Sequence, residues 1–207
     1  MLTVHHLGVS QSERIVWLCE ELALPYRLQY YARDPVTRLA PPAFRALHPM
    51  GLAPVITDGD LVLAESGAII EYIITKHGGG RLAVGPDQPH FADYLFWFHF
   101  ANGTLMPARM LDLVMARMAQ GGNASKAPHV RAERAFELIE ARLGEVPFFA
   151  GEAFTAADII MLFPLTTMNQ FAPRDLEMFP NIRAYIQRIS ERPAYRRAMA
   201  ADQPPVL

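Results

Sequence analysis

The segment GLAPVITDGDLVLAESGAII, residues 51–70, limits what this chain can fold into more than any other part of it. An Ala-Pro dipeptide at 53–54 restricts the backbone ahead of an apolar run and permits a cis bond. Two short apolar runs then flank an Asp-Gly pair at 58–59, which favours a tight hairpin turn. An apolar helical segment begins at Glu65-Ser66. The segment therefore predicts a hairpin followed by a helix whose N-terminus suits a small anionic ligand.

The first eighty residues alternate between strand and helix patterns. Residues 3–7 and 26–31 read as strands with an apolar helix between them, and three glycines at 78–80 end the helix that follows the hairpin. Beyond them the pattern is helical, with no further convincing strand. We therefore predict two domains, an α/β domain over 1–80 and an all-helical domain over 90–207.

Composition and charge indicate which cellular compartment and which classes of partner to expect. The 207 residues are 51% hydrophobic and carry a formal charge of −2, which gives no reason to expect nucleic acid or an acidic membrane as partner. The start of the chain has no secretory pattern, and its apolar runs are too short to span a bilayer. A single cysteine, Cys19, excludes an intrachain disulfide framework and fits a reducing compartment. We expect a soluble cytoplasmic protein.

Three motifs carry a family resemblance. HHLGVSQSERIVWLCEELALPY resembles the first strand, active-site loop and first helix of cytosolic glutathione transferases, and HPMGLAPVITDGDLVLAESGAIIEYI is similar to their glutathione-binding half. GEAFTAADIIM resembles the capping box of a core helix in their second domain. The chain is identified as a member of this superfamily over essentially its whole length, nearest the serine-type bacterial and fungal groups. The resemblance implies a thioredoxin-like α/β domain, an all-α bundle, glutathione as cosubstrate and a homodimer.

Chemistry on glutathione requires the thiolate, because the thiolate is the nucleophile. Lowering a thiol pKa from about 8.5 to about 6.5 takes about 2.7 kcal/mol. A helix N-terminus supplies about 0.3 to 1 kcal/mol, so a hydroxyl worth about 1.5 to 3 kcal/mol is also required. Ser10 and Ser12 are the two candidates. We favour Ser10, because its spacing from Arg14 resembles that of the serine-type enzymes, and because Ser12 stands where an N-cap is expected.

The resemblance also implies a binding role for the two ends of residues 51–70. Ser66 offers a hydroxyl and a backbone N–H to the γ-glutamyl carboxylate of glutathione, and Glu65 pairs with its ammonium group. Ala53, ahead of a cis Pro54, pairs through its main chain with the cysteinyl part. The alternatives are a plain N-cap at Ser66 and an ordinary trans proline.

One position departs from the family pattern. Many relatives carry a lysine or glutamine that reaches the glycyl carboxylate, where this chain has Leu52. A nearby residue could bind the glycyl carboxylate instead, and the candidates are His48, Arg38 and Arg45. We include His48 among the expected glutathione-binding residues. Each of them also reads as an ordinary solvated loop residue.

The second substrate is expected to be apolar. Candidate pocket residues share helical spacing on the long segment after the linker, a pattern also typical of core or dimer-interface residues: Phe98, Asn102, Met106, Met110 and Met115. Thr155 and Asp158 form a predicted capping box with a structural role. No Cys/His spacing indicates a metal site.

We therefore predict an enzyme, a glutathione transferase that activates the thiol for attack on an electrophilic, mostly apolar molecule. One alternative is a glutathione-dependent peroxidase, isomerase or reductase on the same scaffold. Another is a non-enzymatic interaction protein of the same fold.

Overall fold

The structure is a computed structural model that describes residues 1–120 and 130–201. It divides into two compact units, Met1–Leu82 together with the chain from Ser190, and Ala83–Ile189. Each unit has its own core.

A four-stranded mixed sheet organises the first unit. The elements are β1 (Leu2–Leu7), α1 (Glu13–Glu21), β2 (Arg27–Tyr31), α2 (Pro42–Arg45), β3 (Val55–Asp58), β4 (Leu61–Ala64) and α3 (Ser66–Lys76). The strand order is β2-β1-β3-β4, with β1 parallel to β2 and the other two neighbouring pairs antiparallel. The parallel pair needs a crossover helix, whereas a two-residue turn at Gly59 and Asp60 joins the paired Asp58 and Leu61 directly. This arrangement confirms the predicted α/β first half.

Strand register decides where the functional segments meet. Val55 is paired with His5 on one side and with Ala64 on the other. The C-terminal ends of β1 and β4 and the N-terminal end of β3 therefore lie at one end of the sheet. The loop after β1, the residues that lead into β3 and the start of α3 all lie at that end.

The second unit is helical, as predicted. Its main elements are α4 (Phe91–Phe100), α5 (Met106–Gln120), α6 (Val130–Glu145), α7 (Ala156–Leu165) and α8 (Pro180–Ser190). A π-helical turn over Ala101–Leu105 joins α4 to α5. Because Pro107 has no N–H to offer the carbonyl of Gly103, the regular ladder cannot continue there. The π-helical turn therefore stands just ahead of Pro107.

Asp158 anchors the start of α7 in the way the sequence predicts. Its carboxylate accepts hydrogen bonds from the backbone N–H of Thr155 at 2.8 Å and of Phe149 at 3.0 Å, and from the Tyr185 hydroxyl at 3.2 Å. Burial raises the pKa of Asp158 to about 6, so at neutral pH the group still accepts as a carboxylate. The capping box is therefore confirmed as a structural feature.

The last helix, α9 (Pro193–Ala200), packs on α1 within the first unit. The Tyr195 ring meets Trp17 edge-on at 5.0 Å, and Arg192 donates to both carboxylate oxygens of Glu21 at 2.7 and 2.8 Å. An amphipathic pattern shows that a helix has a buried face but not which core covers it. The domain bounds 1–80 and 90–207 stay a prediction.

Candidate functional site

The segments that the sequence singled out converge at one end of the sheet. Ser10 and Ser12 lie in the loop between β1 and α1, the Ala53-Pro54 bond precedes β3, and Ser66 begins α3. The Arg14 guanidinium, from α1, donates to the Ser66 hydroxyl at 3.3 Å and also to the Gln11 side chain. A direct side-chain link therefore joins the active-site loop to the N-terminus of α3.

The two candidate serines touch each other but differ in exposure. Their hydroxyl oxygens are 2.8 Å apart, and Ser10 Oγ donates to the carbonyl of Leu7 at 2.7 Å. Ser10 Oγ also accepts the backbone N–H of Ser12 at 3.2 Å. Ser10 is 6% exposed, whereas Ser12 is 0% exposed. Of the two, Ser10 is the one with surface to offer a ligand.

The expected capping role of the Ser12 side chain is wrong. Ser12 occupies the N-cap position of α1, but its hydroxyl makes no capping hydrogen bond. Its backbone is already helical, at φ −67° and ψ −17°, whereas a capping residue takes an extended conformation. The hydroxyl instead lies 2.8 Å from His6 Nδ1 and accepts the N–H of Leu7 at 3.1 Å. His6 is fully buried.

The loop before Ser10 has a strained backbone. Val9 adopts a φ of 50°, which is unfavourable for a β-branched residue. The guanidinium of Arg33, just after β2, donates to the carbonyls of Gly8 at 2.8 Å and Val9 at 3.1 Å. A Cβ at Gly8 would lie 2.6 Å from the Tyr30 hydroxyl, so any larger residue there would displace the Tyr30 side chain. The strain is held in place by packing and by charged donors, as is common at functional sites.

The N-terminus of α3 differs from the plain cap considered above. The N-cap is Glu65, with a φ of 73° and no side-chain capping bond, and its side chain is exposed. Ser66 is the first helical residue and is 2% exposed. Burial lowers the pKa of Arg14 to about 9, with Glu13 opposing the shift, so the guanidinium keeps its charge at neutral pH. A carboxylate, a hydroxyl and a cation thus surround one helix N-terminus.

The Ala53-Pro54 bond is cis, which confirms the prediction. Ala53 packs against the cluster of Leu7, Phe44 and Val55, beside the end of β1. Leu52 is 62% exposed and offers no polar group. His48 is partly buried, and its Nδ1 accepts the N–H of Met50 at 3.3 Å. The His48 proton therefore lies on Nε2, which is left as a donor. Arg38 and Arg45 are exposed.

The candidate pocket residues lie in the second unit and do not form a uniform set. Phe98 and Met106 are buried, and Met106 packs in a cluster with Phe163, Met168 and Ala172. Met110 is 45% exposed, and Asn102 and Met115 are partly exposed. Phe98 and Met106 therefore belong to the core of the second unit.

Cys19 is 0% exposed on the apolar face of α1, and burial raises its pKa to about 12. We therefore expect a colorimetric thiol reagent at pH 8 to label none of the native protein and one thiol per chain after unfolding in guanidinium. Rapid labelling of the folded protein would contradict this placement. A cysteine-type mechanism finds no support here, because a buried thiol of high pKa is a poor nucleophile.

Residues 1–120 and 130–201 contain neither a cluster of metal-ligating side chains nor a membrane-spanning helix. No group of three or more His, Cys, Asp or Glu side chains in these ranges is placed to hold a metal ion. No helix there is both long and apolar enough to cross a membrane.

Comparisons with known proteins agree over both units. The family model for the N-terminal domain of glutathione S-transferase matches residues 10–76, and that for the C-terminal domain matches residues 105–193. Glutathione S-transferase 3 of Schizosaccharomyces pombe is 35% identical over 95% of this chain and 86% of its own length. The GstB enzyme of Escherichia coli is 31% identical over 90% and 91%. A glutathione S-transferase crystal structure from Actinobacillus pleuropneumoniae is 32% identical and superposes with a TM-score of 0.85, covering 97% of this chain and 92% of that chain.

Proposed function

Because the chain belongs to the glutathione S-transferase family, we propose that it binds glutathione and activates its thiol for attack on an electrophilic, mostly apolar molecule. The thiol gives its proton to solvent, the sulfur forms a bond to the electrophilic atom, and the leaving group departs with the electron pair of its bond. The protein supplies orientation and anion stabilisation. The observation that carries this proposal is the position of the Ser10 hydroxyl, just before α1 and at the same end of the sheet as Ser66.

Ser10 is the proposed thiol-activating residue. Its hydroxyl is attached to the segment that leads into α1, so an anion that accepts its hydrogen also lies near the positive end of that helix. Ser12 is fully buried, which argues against a direct contact between its hydroxyl and the sulfur.

Glu65, Ser66 and Arg14 are proposed to bind the γ-glutamyl end. The ligand carboxylate would accept from Ser66 and the α3 N-terminus, in the field of the Arg14 charge. The exposed Glu65 carboxylate would pair with the ligand ammonium group. Ala53 would pair with the cysteinyl backbone, with Pro54 setting its direction, because both lie beside the end of β1.

The glycyl carboxylate lacks a partner at Leu52, and His48 is the proposed substitute. Its Nε2–H is available as a donor, since Nδ1 already accepts from Met50. Asn102 and Met110 are the proposed contacts for the second substrate, because both have exposed surface. Phe98 and Met106 are buried and would support these contacts without touching the substrate.

A homodimer in the cytoplasm is also proposed. Apolar side chains on α4 and α5 remain exposed in the single chain, including Phe96 at 50% and Val114 at 48%. The single buried cysteine fits a reducing compartment.

Replacing Glu65 with alanine should weaken glutathione binding about tenfold or more, because a charged hydrogen-bond partner is lost, while the turnover number at saturation changes little. Isothermal titration with glutathione and kinetics with a chlorinated nitroaromatic acceptor measure the two effects. Glu71→Ala removes an exposed carboxylate from the same helix and is the matched control. Unchanged affinity in the Glu65 variant would contradict its role.

An organic hydroperoxide assayed beside the nitroaromatic acceptor tests the reaction itself. Faster turnover of the hydroperoxide would favour a peroxidase instead. If neither substrate is turned over and glutathione causes no thermal shift, the result contradicts a glutathione-dependent enzyme and favours an interaction protein of the same fold.

A further inference from the structure

A buried histidine stands behind the two serines. His6 and Ser12 are both 0% exposed, and His6 Nδ1 lies 2.8 Å from Ser12 Oγ. Ser12 Oγ in turn lies 2.8 Å from Ser10 Oγ. The three side chains form a hydrogen-bonded series, which begins at the buried His6 and ends at Ser10, the most exposed of the three. The proposed chemistry described above uses only its last member.

The available hydroxyl hydrogens determine which serine donates in this series. Ser10 places its one hydroxyl hydrogen on the Leu7 carbonyl, at 2.7 Å, while Ser12 reaches the same carbonyl only at 3.3 Å. Two hydroxyl oxygens 2.8 Å apart need a hydrogen between them. Since Ser10 has already used its own, that hydrogen belongs to Ser12, which therefore donates to Ser10.

The tautomer of His6 follows from the same hydrogen positions. With its hydrogen on Ser10, the Ser12 hydroxyl can only accept from its other neighbours. It accepts the N–H of Leu7 at 3.1 Å, and it must also accept from His6 Nδ1 at 2.8 Å. His6 therefore carries a proton on Nδ1. Ser10 Oγ likewise accepts twice, from the Ser12 hydroxyl and the Ser12 N–H.

We propose that His6 and Ser12 are positioning residues that form a donor relay, from His6 N–H to Ser12 O–H to Ser10 O–H, aimed at the glutathione thiolate. This inference rests on the proposed role of Ser10. When the thiolate binds, the Ser10 hydroxyl turns its hydrogen from the Leu7 carbonyl to the sulfur and its oxygen moves away from that carbonyl, while the hydrogens of Ser12 and His6 keep their acceptors. Because both acceptor positions of Ser10 are filled by donors, its hydrogen is the one group it presents to the anion.

The relay strengthens the last hydrogen bond. Donors in series polarise one another, and burial keeps water from competing for the inner two links. The opposite direction would leave Ser10 donating to Ser12 and turn a lone pair toward the thiolate, which repels it. The relay therefore fixes which way the Ser10 hydroxyl points.

A double-mutant cycle tests the relay, with the thiol pKa of bound glutathione and kcat/KM as readouts. Ser12→Ala should lower kcat/KM at neutral pH about two- to fivefold and raise the bound thiol pKa. In a Ser10→Ala background the same change should have no further effect, because the relay acts only through Ser10. A purely structural role for Ser12 would produce the same loss in both backgrounds.

His6 variants test the inner link without touching either serine. His6→Phe keeps an aromatic ring but removes the donor, and it should reproduce the Ser12→Ala effect. His6→Asn retains an N–H near the position of Nδ1 and should recover most of kcat/KM. His5→Asn is the matched control, since His5 contacts Tyr31 and Thr57 and neither serine. Thermal unfolding of each variant shows whether the fold is retained.

The outcomes separate this inference from the proposed function. If Ser10→Ala raises the thiol pKa but Ser12→Ala is fully additive with it, the relay is overturned and the role of Ser10 stands. If Ser10→Ala leaves the thiol pKa unchanged while Ser12→Ala raises it, the assignment of Ser10 fails and the relay fails with it. A His6→Asn variant no better than His6→Phe, with both folded, also overturns the relay.

Discussion

Replacing Ser10 with alanine is expected to lower the turnover number about ten- to a hundredfold and to change glutathione affinity little. The hydroxyl is proposed to interact with the sulfur only once it is an anion, so its loss costs about 1.5 to 3 kcal/mol of thiolate stabilisation. The peptide backbone of glutathione is assigned to other residues, among them Ala53, Glu65 and Ser66. Steady-state kinetics over a range of glutathione concentrations separate the two effects.

Ser190→Ala is the matched control for this change. Ser190 is exposed at the end of α8, and its replacement should leave both kinetic parameters unchanged. Loss of glutathione affinity without loss of turnover in the Ser10 variant would assign the hydroxyl to binding rather than to thiol activation.

Replacing Asp158 with alanine is expected to cost about 3 to 4 kcal/mol of unfolding free energy. The change leaves the buried backbone N–H groups of Thr155 and Phe149 without their acceptor, at about 1 to 3 kcal/mol for an unsatisfied group. It also removes one hydrogen bond of the Tyr185 hydroxyl and half of a capping box. For a chain of this length the melting temperature should fall by about 6 to 16 °C. Denaturant titration and calorimetry measure the two quantities.

Asp175→Ala is the comparison for stability, because Asp175 is exposed in the same unit and bonds only locally to the Glu177 N–H. Its replacement should change stability by less than about 0.5 kcal/mol. If Asp158→Ala were folded and as stable as the parent but inactive, Asp158 would be catalytic rather than structural.

The features predictable from the sequence are those whose chemistry is local. The Asp-Gly hairpin, the cis Ala53-Pro54 bond and the capping box at Asp158 depend on residues within a few positions of one another, and the structure confirms all three. The family resemblance adds the fold class and glutathione as cosubstrate, and the matches to both domain families agree with it.

The features that the sequence does not predict depend on how side chains pack in the folded protein. The sequence predicts that Ser12 caps α1, but in the folded chain its hydroxyl lies against the His6 ring and its backbone is already helical. Arg14 meets Ser66 across 52 positions of sequence. A sequence pattern does not specify such pairs, since many other polar residues have the same local surroundings.

The central claim is that the Ser10 hydroxyl stabilises the glutathione thiolate, and the most direct test is a titration of that thiolate. Its ultraviolet absorbance is followed against pH with glutathione bound to the parent protein and to Ser10→Ala. We predict a bound thiol pKa about 2 below the free value of about 8.5 in the parent. In the variant the pKa should return toward the free value by about 1 to 2. Equal pKa values in the two proteins would contradict the claim.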